Sequence, residues 1–395
     1  MEAAELAEGR GLGEHLARAA LGYGGRLIWE SSRDDAELMP LLERALTAIG
    51  DEASPLRVRL LARLAGGPLR DASVPPQHKR TLSTQALDLA RRLDDPATLA
   101  YALQGYIDGH HAPTFTPRQL ELADELIRVA TAAGDKERLV EGGEDRFDAL
   151  FELGDVEGAR AQLRAMAKVA GELRQPSQNW YVAVYEALLA LFEGRLADAE
   201  HLIADARAMG ASALSWSAAV SSRLQLYALR REQGRLSEVE DLVRRSVDEY
   251  PTYPIWRCVL AQTEVELGHT EEARDTLAAL AVNEFASLPF DEEWLVSTGL
   301  LAETATALDD AERASVLYGL LLPYEDRIAI GYLEISTGSV ARPLGLLAAT
   351  LERWADAERH FQLARETNRR TGARPWLART ERDYTRMRRA HDTVA

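Results

Sequence analysis

Leu153-Gly154-Asp155-Val156-Glu157-Gly158-Ala159 returns as Glu193-Gly194-Arg195-Leu196-Ala197-Asp198-Ala199. It returns again as Gln233-Gly234-Arg235-Leu236-Ser237-Glu238-Val239 and as Leu267-Gly268-His269-Thr270-Glu271-Glu272-Ala273. Asp309 to Ala314 and Glu352 to Ala357 keep the spacing without the glycine. The steps between turns are 40, 40, 34, 41 and 43 residues, taken from 154 to 194, 234, 268, 309 and 352. Five residues past each turn stand Ala159, Ala199, Val239, Ala273, Ala314 and Ala357. Nine past it stand Leu163, Ile203, Val243, Leu277, Tyr318 and Phe361. A small residue lets two helices approach, and a large one a turn later fills the space between them. A period of this length predicts stacked helical hairpins: an all-α chain forming a right-handed superhelix of TPR-like hairpins with repeats of about 40 residues.

The other half of each unit has its own opening. Leu93-Asp94-Asp95-Pro96, Ala133-Gly134-Asp135-Lys136 and Leu173-Arg174-Gln175-Pro176 follow one another at 40 residues. Asp and Pro at a helix start supply a cap and a residue that needs no amide partner. Leu82 to Leu93 and Leu120 to Ala130 carry the apolar stripe back toward residue 80. Further upstream, His15 to Tyr23, Ala36 to Ile49 and Pro55 to Leu64 read as helices. Gly66-Gly67-Pro68 and Pro75-Pro76 mark a loop or bend. The organisation expected is residues 1–76 as irregular helical hairpins, continuous with a repeat superhelix over 77–395. No period-2 apolar alternation is long enough to suggest a sheet.

A solenoid suits the length of 395 residues, because each unit packs only on its neighbours. A net charge of −17 argues against the whole chain binding nucleic acid or an anionic membrane. The lone Cys258 excludes an internal disulfide framework and, beside Val259 and Leu260, reads as a packing residue. Met1 to Gly13 lacks a signal-type apolar stretch, and no apolar run reaches bilayer length. The expected location is cytoplasmic.

The phrases between the turns carry a resemblance. Asp248-Glu249-Tyr250-Pro251-Thr252-Tyr253-Pro254, Glu292-Glu293-Trp294, Ser336 to Arg342 and Gly372 to Thr380 resemble the C-terminal helical-repeat region of large bacterial signal-transduction ATPases. That family includes the large ATP-binding LuxR-type regulators and relatives with a nucleotide-cyclase domain. The resemblance runs from about His15 to Met387. It implies a sensor region coupled to a neighbouring ATPase or output module. No Gly-x-x-x-x-Gly-Lys-Ser/Thr stretch is present, so ATP hydrolysis is not carried over, and neither is DNA binding. The chain reads as an excised sensor region or a stand-alone relative.

Aromatic and arginine residues near the starts of the first helices are the candidate ligand contacts. They are Trp180, Tyr181 and Tyr185; Trp216 and Arg223, with Tyr227; Trp256 and Arg257; Glu293 and Trp294; Ser339 and Arg342. Matching places in stacked hairpins converge on one concave groove, where Trp and Arg grip a planar or anionic small molecule or a peptide. The alternative is that the rings fill the hairpin interfaces. Asp108, His110 and His111 hold metal-type side chains, but adjacent His side chains diverge, so a polar loop is expected. Glu141, Glu144, Asp145 and Asp148 read as a solvated helix face. Ser336, Thr337 and Ser339 around Gly338 read as an internal loop between helices. Arg365 to Arg389 holds nine Arg against Glu366, Glu381 and Asp383, a local charge of +6. It reads as a docking face for an acidic partner, a neighbouring module or nucleic acid, or as a solvated capping helix. No catalytic residue, metal or cofactor is called for.

Two function classes follow. One is a ligand- or partner-sensing domain of a signal-transduction or transcriptional regulator. The other is a protein–protein scaffold without a small ligand. An enzyme on a helical-repeat frame ranks below both, because no nucleophile–base pair can be assembled from spacing.

Overall fold

The computed structural model describes residues 1–23, 37–66, 76–211 and 215–394, without the side chains of 76, 215, 216, 393 and 394. The described chain is helical apart from one short hairpin. The helices are α1 (Glu2–Gly9), α2 (Gly13–Tyr23), α3 (Leu38–Ala48), α4 (Pro55–Gly66), α5 (Pro76–Leu93), α6 (Pro96–Asp108) and α7 (Thr116–Ala133). They continue as α8 (Lys136–Glu152), α9 (Val156–Leu173), α10 (Pro176–Phe192), α11 (Leu196–Gly210), α12 (Ser215–Glu232) and α13 (Glu240–Glu249). Next come α14 (Ile255–Leu267), α15 (Thr270–Leu280), α16 (Trp294–Ala307) and α17 (Ala311–Leu321). After the strands β1 (Ile328–Gly331) and β2 (Ile335–Ser339), the chain ends in α18 (Ala341–Thr350), α19 (Trp354–Thr371) and α20 (Arg374–Val394).

The turns explain the period. Gly154, Gly194, Gly234 and Gly268 all have left-handed backbone, with φ between +68 and +85°. Asp309 and Glu352, which stand in for glycine, adopt the same conformation at φ 52 and 57°. In each turn the amide after the left-handed residue reaches back five residues: Arg195 N to Ala190 O at 2.9 Å, Asp310 N to Ala305 O at 3.0 Å, Arg353 N to Ala348 O at 2.8 Å. That bond satisfies a carbonyl the helix end would leave open. The next helix starts at once. Asp155 accepts from Gly158 N at 2.9 Å, and Asp310 from Arg313 N at 3.0 Å. The small and large positions behind each turn are buried, from Ala159 and Leu163 to Ala357 and Phe361.

The contacts group the chain into two compact units. The first comprises Met1–His111, Pro117–Arg146 and Ala165–Gln178. Its N-terminal core holds Leu16, Ala17 and Ala20 of α2, Leu38, Leu41 and Leu42 of α3, and Leu60 and Leu64 of α4. The stretch Met1 to Gly13, which carried no helix expectation, contains α1, whose Ala4 and Ala7 are buried. The expected loop at Gly67, Pro68 and Pro75 lies outside the described residues. Asp95 caps α6 as its Asp-Pro pair predicts, accepting from Thr98 N at 3.1 Å.

The second unit comprises Ala112–Thr116, Phe147–Arg164 and Asn179–Ala395. One continuous core runs through α12 to α20, from Val220 and Leu224 to Phe361 and Met387. Here the structure departs from the expectation of helices alone. Ser336, Thr337, Gly338 and Ser339 are not a loop but strand β2, paired antiparallel with β1 from Ile328↔Ser339 to Gly331↔Ile335. Every residue of both strands is buried, which is why no polar–apolar alternation announces them. Val296 of α16 lies under β1 at Gly331, and Asn368 of α19 accepts from Ser339 N at 3.0 Å.

Candidate functional site

Most of the candidate aromatic residues belong to the core of the second unit. Trp180 is 1% exposed and packs where Gly210 leaves room; Tyr181 is buried against it. Tyr185 is buried, with its hydroxyl donating to Asp148 at 3.0 Å. Trp256 is fully buried near Tyr250, with ring centroids 6.2 Å apart. Trp294 packs between Phe290 and Tyr324, at 5.0 and 5.7 Å. Glu293 accepts from the Tyr253 hydroxyl, and Ser339 Oγ accepts from Ala341 N at 3.3 Å. Arg223 pairs with Glu249 at 2.6 Å, and Arg257 is exposed. The Trp216 side chain lies outside the described residues. Each described ring fills its own interface, so Trp180, Tyr181, Tyr185, Trp256 and Trp294 do not present an aromatic groove to solvent. Cys258 is buried beside them, and burial pushes its thiol up to about 12.

Arg342 leads elsewhere. It lies in α18 and meets Glu303 of α16 at 2.6 Å and Asp383 of α20 at 2.8 Å. Glu303 also takes Arg231 of α12, which bonds Glu266 of α14 at 2.8 Å. Arg379 of α20 then reaches Glu232 at 2.8 Å and Glu266 at 3.6 Å. Charges alternate without a break from Asp383 through Arg342, Glu303, Arg231 and Glu266 to Arg379 and Glu232. The Trp376 ring sits among the three guanidiniums, 5.9, 5.9 and 5.6 Å from Arg231, Arg342 and Arg379. Burial works to raise the Glu303 carboxyl, but Arg231, Arg342 and Arg379 overcome it and hold it well below the usual carboxylate range. Burial likewise lowers Arg231, and Glu303 more than reverses that.

The outer end of this network opens into a cleft of about 930 Å³. One wall is the end of α12 and its turn, with Arg231, Glu232 and Gly234, beside Glu266 at the end of α14. The other wall is α20, which contributes Arg379, Arg382, Arg386 and Arg389. Those four arginines stand at i, i+3, i+7 and i+10, hence on one helix face. Another side of α20 is buried, with Trp376, Thr380 and Met387. Amphipathic periodicity therefore aims the arginines into the cleft. The basic stretch is the part of the sequence that the structure turns into a concave surface.

A second buried polar group occupies the first unit and corrects the reading of its helix face. Glu141, Glu144 and Asp145 of α8 are buried, not solvated. Arg138 pairs with Glu141, and His111 stands 3.7 Å from Asp145. Gln104 donates to Asp108 at 3.0 Å. Burial pushes the Asp108 carboxyl up, and Asp145 adds to the rise. The i, i+3 and i+4 spacing of Glu141, Glu144 and Asp145 looks the same on a solvated face; only packing against α6 and α7 encloses it. Among the described residues no group of three His, Cys, Asp or Glu side chains is arranged to hold a metal ion. Nor is any described helix long and apolar enough to cross a membrane.

No protein-family model matches the sequence, and no curated protein matches it either. Spacing within one helix could reveal the arginine stripe from sequence. Glu303, Trp376 and Asp383 carried no such signal, since their partners lie in other helices far along the chain.

Proposed function

We propose that this chain is a binding module that senses a ligand or partner through the cleft along α20. The observation that carries the reading is the row Arg379, Arg382, Arg386 and Arg389 facing a concavity whose inner end joins a buried ion network. An acidic ligand drawn to Arg379 competes with Glu232 and Glu266 for it. The competition loosens the links that hold α20 against α12 and α14, so occupancy is felt along the network. Turns recurring at about 40 residues support the TPR-like repeat reading, and the quoted phrases support kinship with the repeat regions of LuxR-type ATPase regulators. In such a setting the partner is a neighbouring ATPase or output module, in a cytoplasmic protein. A scaffold that binds only protein uses the same surface. No catalytic role is assigned, since the one thiol is buried and protonated at neutral pH.

Thermal melting with a panel of anionic metabolites, pyrophosphate and acidic peptides tests this reading. At least one class should raise the midpoint, and the Arg382→Ala/Arg386→Ala double variant should abolish the rise. A panel with no effect, or an effect that survives in the variant, removes the cleft as the site.

A further inference from the structure

The surface charge of the cleft is unevenly spent. Its inner arginines are neutralised: Arg231 by Glu266 and Glu303, Arg379 by Glu232 and Glu266. Glu381, which also lines the cleft, faces Arg365 and Arg369 at 3.6 Å, and Arg388 faces Glu358 at 3.6 Å. Arg382 and Arg386 are different. Both are exposed, and among the described residues no carboxylate lies within ion-pairing distance of either. On a chain with a net charge of −17, these are cations with no counter-charge supplied by the described fold.

Resting on the reading of the cleft as a binding site, we propose that its occupant is an extended acidic segment of a partner protein. Three features select it. Arg382 and Arg386 stand four residues apart on α20, about 6 Å along its axis. Alternate residues of an extended strand, at about 3.3 Å per residue, span about the same distance and point to one side. Two carboxylates at alternate positions therefore meet Arg382 and Arg386 together. A single carboxylate reaches only one of them.

The second feature is the inner end of the cleft, where Glu232 and Glu266 already neutralise Arg231 and Arg379, so a dense phosphate group finds no uncompensated cation there. The third is the absence of aromatic residues from the lining, so a nucleic acid finds no platform for its bases. Gly234, Pro375 and Ala378 are the small residues of the lining. Each exposed pair contributes little by itself, so the complex is weak and salt-dependent and needs several carboxylates in register.

Fluorescence anisotropy with a fluorescein-labelled peptide of alternating Glu and Ala, about twelve residues long, tests the assignment on the full chain. Binding should weaken at least about tenfold in Arg382→Glu/Arg386→Glu and on raising salt past physiological strength. The same peptide with Gln for Glu should not bind. Arg382→Gln/Arg386→Gln, which keeps the side-chain bulk, should show an intermediate loss with unchanged helical circular dichroism. Peptide binding unaffected by either double variant overturns the assignment. So does tighter, stripe-dependent binding of pyrophosphate or single-stranded oligouridine, which would leave the cleft a site with another occupant. If none of the probes binds, the assignment and the cleft reading both fall.

Discussion

Arg342 Nη2 lies 2.8 Å from Asp383 Oδ2, with the two side chains only 5% and 11% exposed, and the same guanidinium holds Glu303 at 2.6 Å. Breaking a buried pair costs far more than breaking a surface one, because a charge is left without compensation. Glu303→Ala leaves both Arg231 and Arg342 short of their shared carboxylate. The expected loss is about 4 kcal/mol in urea unfolding. Asp198→Ala, which removes the exposed partner of Arg195, should cost less than about 1 kcal/mol. Equal losses would show that the network does not hold the helices. Because the Glu303 carboxyl is depressed, its contribution is present above the ordinary carboxylate range and vanishes only as pH falls well below it.

Glu152 behaves in the opposite sense. Burial pushes its carboxyl up to about 7, although the Thr116 hydroxyl donates to it at 2.7 Å and Arg327 stands 3.7 Å away. A raised acid favours folding while it stays protonated. That stability is full below its unfolded value and is lost as pH rises to about 7. Relative to Glu152→Gln, the native chain should lose about 3 kcal/mol between pH 4.5 and pH 7. Parallel pH profiles for the two proteins would refute the buried, protonated state.

Gly338 shows how the hairpin and α20 constrain each other. Its φ is +72°, and a Cβ there would stand 2.6 Å from Trp376 Cβ. Gly338→Ala should destabilise by about 3 kcal/mol, from combined backbone and packing conflict. Trp376→Gly, which removes the Cβ and Cγ that the new methyl meets, should in that background cost less than the two separate losses combined. A fully additive double-mutant cycle would mean the two residues do not meet.

The repeat turns yield a graded series. Glu352 has left-handed backbone without being glycine, so Glu352→Gly should stabilise by about 1 kcal/mol. Asp309→Gly should gain less, since Asp tolerates this conformation better. Gly268→Ala, at φ +85° in open space, should lose about 1 kcal/mol. Thermal melting of the three variants should rank them in that order; a Gly268→Ala protein as stable as the parent contradicts it.

Legibility from sequence followed the range of the interaction. The left-handed turns, the Asp caps at Asp155 and Asp310 and the buried pair behind each turn are settled within about ten residues of sequence. So is the arginine face of α20, since helical spacing places its members together. Trp180, Trp256 and Trp294 defeated the groove expectation, because a helix start shows which side is amphipathic but not which neighbour covers it. Glu141, Glu144 and Asp145 failed for the same reason in reverse: charged residues at helical spacing read as solvated until other helices pack over them. The β1–β2 hairpin was invisible because both its faces are enclosed.

The sequence by itself determined that the chain is helical, where most of its turns fall and which residues form the backs of the hairpins, because propensity, capping and periodicity act locally. Tertiary structure alone decided that Arg342 joins Glu303 and Asp383, that Trp376 sits among three arginines, and that the basic helix faces a cleft. Those pairings join residues tens to more than a hundred positions apart. Their energy comes from desolvated charge, which exists only after the helices have closed around it.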